Sequence, residues 1–380
     1  MTVVVVDLIS FAIVVPILPF YVDEFGAGGI ELGLLVASFA LMQFIAAPLW
    51  GRLSDRIGRR PVLLITIAGN TGALLLLGLA DSLGMVMLAR ILSGGFAGNL
   101  GVATAYIADA TSEQDRARWM GLIGLAFAIG FTLGPLIGGV ASLWGYSAPM
   151  FVAAALSGLN LLQAIARLRE SPRSISQATS SLSPRQVLEL PGVSRLVGSN
   201  FVFGFAVTQL ETVFALYMLH RFGYDALQVA MILLGMAIVM GAIQGGGMRR
   251  LSARFGEQRL IGGGTALLAI GFVTTPLMQS VGWLLVPLTA LAVGRAVVQP
   301  SLMTLVSFQS SAESRGSVMS TFQSGASLAR VVGPLIAGFT YDKIATAPFV
   351  IAGVACLGVM ALSRGMAPRG SGQAGEAQSL

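Results

Sequence analysis

Long apolar runs separated by short polar links fill almost the whole chain. They lie near Val3–Tyr21, Leu32–Trp50, Val62–Ala80, Met85–Ile107, Met120–Val140 and Pro149–Ala166, then near Leu196–Leu219, Val229–Met248, Leu260–Met278, Val281–Val306, Val318–Phe339 and Ala347–Leu362. Crossing the hydrocarbon takes about 20 mostly apolar residues as helix, so the pattern predicts an all-α integral membrane protein with twelve transmembrane helices. Between the two sets, Arg167–Arg195 is polar and rich in Ser and Pro (Ser171, Pro172, Ser174, Ser176, Ser180, Ser181, Ser183, Pro184), a composition that predicts a flexible link. The expected organisation is a first six-helix bundle over 1–167, a linker over 168–195, a second bundle over 196–364 and a disordered tail over 365–380.

Composition agrees. The chain is 55% hydrophobic and 11% charged, with a mean hydropathy of +0.82, too little charge to cover a water-soluble protein of this size. The net charge of +6 does not point to nucleic acid, because the basic residues sit in the links and form no basic surface interleaved with stacking aromatics. Their distribution reads as topology. One side collects Arg52, Arg56, Arg59, Arg60, Arg116, Arg118, the linker arginines, Arg249, Arg250, Arg254, Arg259, Arg315, Arg364 and Arg369, whereas the other keeps Arg221 and Lys343. Both termini are therefore expected in the cytoplasm. The first apolar run outlasts a signal-peptide core and lacks a small-residue cleavage site, so it reads as the first span. A single cysteine, Cys356, and a single histidine, His220, give no basis for a disulfide framework, a metal site or a bound cofactor.

The halves echo each other. Arg52-Leu53-Ser54-Asp55-Arg56-Ile57-Gly58 follows the second span, and Arg250-Leu251-Ser252-Ala253-Arg254-Phe255-Gly256 follows the eighth. Gly134-Pro135-Leu136-Ile137-Gly138 in the fifth span is answered by Gly333-Pro334-Leu335-Ile336-Ala337 in the eleventh. Repeated bundles with a site between them are an architecture of alternating-access transport.

Gly51-Arg52-Leu53-Ser54-Asp55-Arg56-Ile57-Gly58-Arg59-Arg60 joins two spans in very few residues and packs charge at the membrane edge; its glycines are expected to permit a tight turn. The stretch resembles the signature cytoplasmic loop of the major facilitator superfamily, whose fold is two pseudo-symmetric six-helix bundles. The resemblance implies a gate in which Gly51, Asp55, Arg56, Gly58 and Arg59 join a charge network with Asp109, which closes the fourth span. Ala253 stands at the acid position of the second copy. Gly130-Phe131-Thr132-Leu133-Gly134-Pro135-Leu136-Ile137-Gly138-Gly139 resembles the fifth-span motif of the superfamily's antiporter branch, with Gly130, Gly134, Pro135, Gly138 and Gly139 as its marks.

Charges inside spans are costly and mark candidate function. Asp7, nine residues before Pro16, lies in a run similar to the first span of drug and tetracycline/proton antiporters. Arg90 opens Arg90-Ile91-Leu92-Ser93-Gly94-Gly95, which resembles the fourth-span arginine motif linked in the family to proton transfer. Rises of about 1.5 Å per residue put Asp7 and Arg90 at different depths, so water or substrate is expected to bridge them. Glu211, the acid expected to be buried in the second half, suits a proton carrier, a counter-charge for a cationic substrate, or a carboxylate satisfied by Gln209 or Arg295. Arg295 holds the place in the tenth span related to Arg90, and Arg330 is expected to snorkel. Phe11, Gln43, Asn99, Gln209, Gln244, Arg295 and Gln299 are candidate linings of a substrate cavity; amides and aromatics also cross-link helices.

These resemblances imply a monomeric proton-coupled exporter of a small amphipathic compound in the bacterial cytoplasmic (inner) membrane. Its partners would be the small-molecule substrate, protons and membrane lipid. Gly69–Leu79 and Gly262–Met278 contain no acid where tetracycline exporters carry one in the third and ninth spans, which argues against a tetracycline–metal chelate as substrate. A sugar or metabolite transporter of the same fold, or a non-transporting membrane receptor or scaffold, is the alternative. No nucleophile with a base, metal cluster or phosphate loop points to an enzyme.

Overall fold

Without water to satisfy them, backbone amides in a bilayer must bond within their own segment, and apolar runs of this length do so as helices. A computed structural model describes residues 1–111, 113–168, 170, 182–310 and 314–363, and its regular structure is helical throughout these residues. Most of the expected linker and the tail from Arg364 lie outside the described residues, as do the side chains of Arg116 and Arg118. The helices are α1 (Thr2–Asp23), α2 (Gly29–Ile57), α3 (Arg59–Gly78), α4 (Leu83–Phe96), α5 (Asn99–Ala110), α6 (Glu113–Ala141), α7 (Ala148–Arg167), α8 (Pro184–Glu189), α9 (Val193–Phe222), α10 (Ala226–Ala242), α11 (Met248–Phe255), α12 (Glu257–Thr274), α13 (Val281–Phe308), α14 (Arg315–Lys343) and α15 (Ala347–Ser363).

Every expected span is matched by helix. Ten are long and apolar enough to cross a membrane on those grounds alone, and Ala347–Ser363 is a shorter apolar helix. The eleventh span, α14, runs for 29 residues, but Ser317, Ser320, Thr321, Gln323, Ser324, Ser327 and Arg330 dilute its apolar character. Serine and threonine hydroxyls on it bond back to carbonyls of the preceding turn, as Thr321 does to Ser317 and Ser324 to Ser320, both at 2.9 Å, which lowers their cost away from water.

Three local features depart from the sequence reading. The loop after the second span is nearly absent: α2 runs to Ile57, α3 starts at Arg59, and Gly58 alone turns the chain at φ +108°. Its counterpart Gly256, at φ +73°, does the same between α11 and α12. These are left-handed positions that suit glycine. Gly51, expected to ease that turn, instead lies inside α2 with open space where a Cβ would stand. The fourth span breaks at Ala97–Gly98 into α4 and α5. The eighth span passes through a π-helical turn, Ile243–Gly247, between α10 and α11. In addition, the stretch read as an uninterrupted linker contains α8, whose Ser183 cap accepts from the Gln186 amide and whose Val187 is fully buried.

The chain forms two compact units. The first gathers α1 to α7 with Glu211–Ile238 and Pro334–Ala345, and the second includes the rest of α9, Val239–Gly333 and α15. Within the first, α6 lies on α1 through a glycine row. A Cβ at Gly130 would stand 2.9 Å from the Leu8 Cβ, one at Gly134 2.4 Å from the Ala12 Cβ, and one at Gly138 2.8 Å from the Ile13 carbonyl oxygen. Spaced four apart, these residues share a helix face, so the first half's antiporter-like motif is a seat for α1. Amides cross-link the units internally: Asn160 donates to the Val3 carbonyl at 2.9 Å in the first, and Asn200 to the Phe322 carbonyl at 2.8 Å in the second.

Candidate transport site

Asp7 lies on α1 between Val4, one turn before it, and Leu8, the next residue, both part of an apolar wall. Val4 and Leu8 belong to a buried cluster with Val62 and Leu63 of α3, Val102 and Ala103 of α5, and Ala126 of α6. The Asp7 side chain faces that of Asn99, while its Oδ1 is shielded and has no hydrogen-bond partner among the described residues. Val3, Val4, Asp7, Leu63, Ile67, Asn99, Leu100 and Ala103 surround a cavity of about 10 Å³, the room for a single water. A carboxylate with a shielded, unbonded oxygen beside space for one water is equipped to take up and release a proton.

The broken fourth span supplies the partner. Asn99 is the first residue of α5, directly after the interruption. Carbonyls freed at the break are taken by α2: the Trp50 indole N–H donates to Gly95 at 2.6 Å and the Gln43 amide to Ala97 at 3.3 Å. A Cβ at Gly98 would meet Trp50 Cδ1 at 2.6 Å, and one at Gly94 the Phe39 carbonyl oxygen at 2.4 Å, so α2 and the broken span touch backbone to backbone. Interrupted spans recur at transporter binding sites because irregular backbone is tolerated where protein or a cavity covers it.

Arg90 is 4% exposed on α4 and places its guanidinium 4.3 Å from the centre of the Phe39 ring, a cation–π contact; its Nε is buried with no hydrogen-bond partner among the described residues. Phe39 also lies 5.5 Å from Phe11, and Phe11 6.2 Å from Phe131. Asp7 and Arg90 thus have different partners, Asn99 and Phe39, as the difference in depth anticipated.

On the arginine-rich face, Arg59 is a hub. Its Nη1 lies 2.6 Å from Asp55 Oδ1 and donates to Ser54 Oγ at 2.6 Å, while its Nε donates to Asp109 Oδ2 at 3.1 Å. Arg56 is exposed. The sequence reading missed one member: Glu170 Oε1 accepts from the backbone N–H groups of Arg59 at 2.9 Å and Arg60 at 3.4 Å. It caps α3, whose preceding residue, Gly58, has no side chain for the task. An acid three residues past the seventh helix gives no sequence signal for this contact. Replacing Asp109 with Asn should lower the melting temperature of purified protein, at a cost of about 1–2 kcal/mol, because the pair's side chains are less than one-fifth exposed and so fall between surface and buried ion pairs. A double-mutant cycle with Arg59→Ala measures the coupling; zero coupling removes Asp109 from the network.

Other expected site residues are placed differently. Glu211, expected to be buried, is exposed on α9, although Thr212–Met218 behind it are buried. Gln209, expected on a cavity wall, is fully buried and donates to the Gly333 carbonyl at 3.0 Å; it is a packing cross-link. Gln244 sits in the π turn and donates to the Ala296 carbonyl at 3.4 Å. Gln299 is exposed and Arg295 half-buried on α13. Of the candidate cavity residues, Asn99 stands beside the proton-coupling candidate Asp7.

A charged short joint between α2 and α3, an acid in the first span and a glycine seat in the fifth span are together a combination with known relatives. The Major Facilitator Superfamily profile matches residues 1–250 and again 247–378. The chain belongs to the Major Facilitator Superfamily. It is 31% identical over 350 residues to the class E tetracycline resistance protein of Escherichia coli, covering 88% of this chain and 85% of that protein. It is 30% identical over 359 residues to multidrug resistance protein 1 of Bacillus subtilis (strain 168), covering 91% and 90%. The crystal structure of the human organic anion transporter MFSD10 (TETRAN) superposes with a TM-score of 0.69 at 26% identity, covering 95% of this chain and 97% of that one. This superfamily member is therefore an integral-membrane transporter with the twelve-helix fold, and not an enzyme.

Proposed function

We propose that this transporter exports a small amphipathic compound or drug in exchange for protons, working as a monomer in a bacterial cytoplasmic membrane with its arginine-rich face and both termini inside. The observation that carries the reading is half-buried Asp7, set beside Asn99 and a broken span against an apolar cluster, with a shielded carboxylate oxygen that has no hydrogen-bond partner among the described residues. Kinship with tetracycline and multidrug resistance proteins supports export and an amphipathic substrate.

In this mechanism the halves 1–167 and 196–364 rock during the transport cycle. A proton arriving from outside neutralises Asp7, with Glu211 as a second carboxylate, and substrate leaves as the protein returns. Coupling requires that the proton be held more tightly in one state than the other, since equal affinity in both shifts nothing. Arg59, Asp55 and Asp109 act as the inner gate. The test is proton release: adding candidate antibiotics, dyes and metabolites to purified protein in weak buffer should release protons with the compound that binds. Binding with no proton change, followed by translocation insensitive to a pH gradient, would refute exchange.

A further inference from the structure

At the face opposite the arginine-rich one, the first unit joins helix ends from both sequence halves. Helices α2 and α14 cross there at backbone contact: a Cβ on Gly33 would stand 2.4 Å from the Pro334 carbonyl oxygen, and one on Gly29 2.8 Å from that of Gly338. Pro334 belongs to the second-half copy of the antiporter-like motif. The first copy behaves alike, since a Cβ on Gly139 would lie 2.6 Å from Ala230 on α10. Each copy therefore presses on a helix of the other half at this same face.

Polar contacts fasten the crossing. The opening amides of α2 have no intrahelical acceptors. Gly28 N–H donates to Glu31 at 2.9 Å within the helix, but Gly29 and Ile30 donate to Asp342 of α14, at 2.7 and 2.9 Å. A carboxylate at a helix N-terminus also meets the positive end of its dipole. Beside it, His220 of α9 lies 3.2 Å from Asp23 of α1 through Nε2 and 3.2 Å from the Tyr341 hydroxyl through Nδ1. A neutral imidazole can serve both, accepting at Nδ1 and donating at Nε2. Ile30, His220 and Asp342 are exposed, whereas Gly29 and Tyr341 are buried, so water can reach the Asp342 carboxylate and the His220 ring when the ends part.

We propose that Asp342 is a latch carboxylate: by capping α2 from the other half of the chain, with the Asp23–His220–Tyr341 contacts beside it, it holds the outer face closed, and its release from Gly29 and Ile30 is a step of outward opening. The latch rests on the transport reading and extends it to residues outside every recognised motif. Asp342 is a positioning residue, with no contact to substrate required.

The test uses the full chain in proteoliposomes with the buried Cys356 replaced by Ser and spin labels at Ile30 and Ile344, both exposed. The unaltered latch should give mainly a short separation. Asp342→Ala should raise the long-separation population about three- to tenfold, Asp342→Glu should restore much of the short one, and His220→Gln should shift it in the same direction as Ala. A folded Asp342→Ala protein with an unchanged distance distribution overturns the proposal; should Ala fail to fold, Asp342→Asn is judged by the same criterion. Proton release is measured on the same preparations. Its loss in the unaltered chain counts against exchange alone, because the distances judge the latch separately.

Discussion

Replacing Asp7 with Asn should uncouple transport from protons while sparing the fold. In proteoliposomes, pH-gradient-driven substrate flux should fall about 5- to 150-fold, the span of ordinary coupling free energies between two sites, with substrate binding largely retained. Asn matches Asp in size, so it can keep an amide contact to Asn99 and leave the cluster of Val4, Leu8, Val62 and Leu63 undisturbed. What it loses is the ability to take up and release a proton. Glu211→Gln should have the smaller effect, because that residue is exposed on α9 while Asp7 is half-buried with a shielded carboxylate oxygen. Flux in Asp7→Asn that still follows the pH gradient would remove Asp7 from the coupling step, and a larger loss in Glu211→Gln would transfer the role there.

What the sequence made legible follows from range. Helices declare themselves because about 20 apolar residues suffice to require one, and charges stranded in such runs stand out against them. Asp7 and Arg90 were readable on those terms, while the Arg59–Asp109 pairing and the glycine row were anticipated through their resemblance to family motifs. Features that depend on a partner from a distant helix were not. The break at Ala97–Gly98 is held by Trp50 and Gln43 from α2, and nothing within the fourth span announces it beyond its glycines. Gln209 and Asn99 are both amides inside spans, yet one is spent on the Gly333 carbonyl and the other faces Asp7. Glu170 and Asp342 are acids outside the apolar runs or at their ends, where topology explains them sufficiently; their capping roles emerge only when a bare helix N-terminus is placed beside them.

Gly134→Leu should damage the protein through packing alone, and a companion substitution isolates the cause. The added Cβ would stand 2.4 Å from the Ala12 Cβ and 2.7 Å from the Ala12 carbonyl carbon; the second of these is backbone and cannot rotate away. Overpacking of this kind costs about 1–3 kcal/mol or more, so the melting temperature of purified protein should fall clearly. Gly124→Ala, on the same helix with open space around the new Cβ, should be neutral or stabilising by up to about 1 kcal/mol, because Ala is the better helix former. The functional consequence comes from what α1 carries. Forcing α6 away at Ala12 moves the helix that holds Asp7 near Asn99, so Gly134→Leu should also lose pH-gradient-driven flux with every ionisable group intact. Equal stability and flux in the Gly134→Leu and Gly124→Ala proteins would mean that the glycine row does not seat α1, and the link from antiporter-like motif to proton site would be broken.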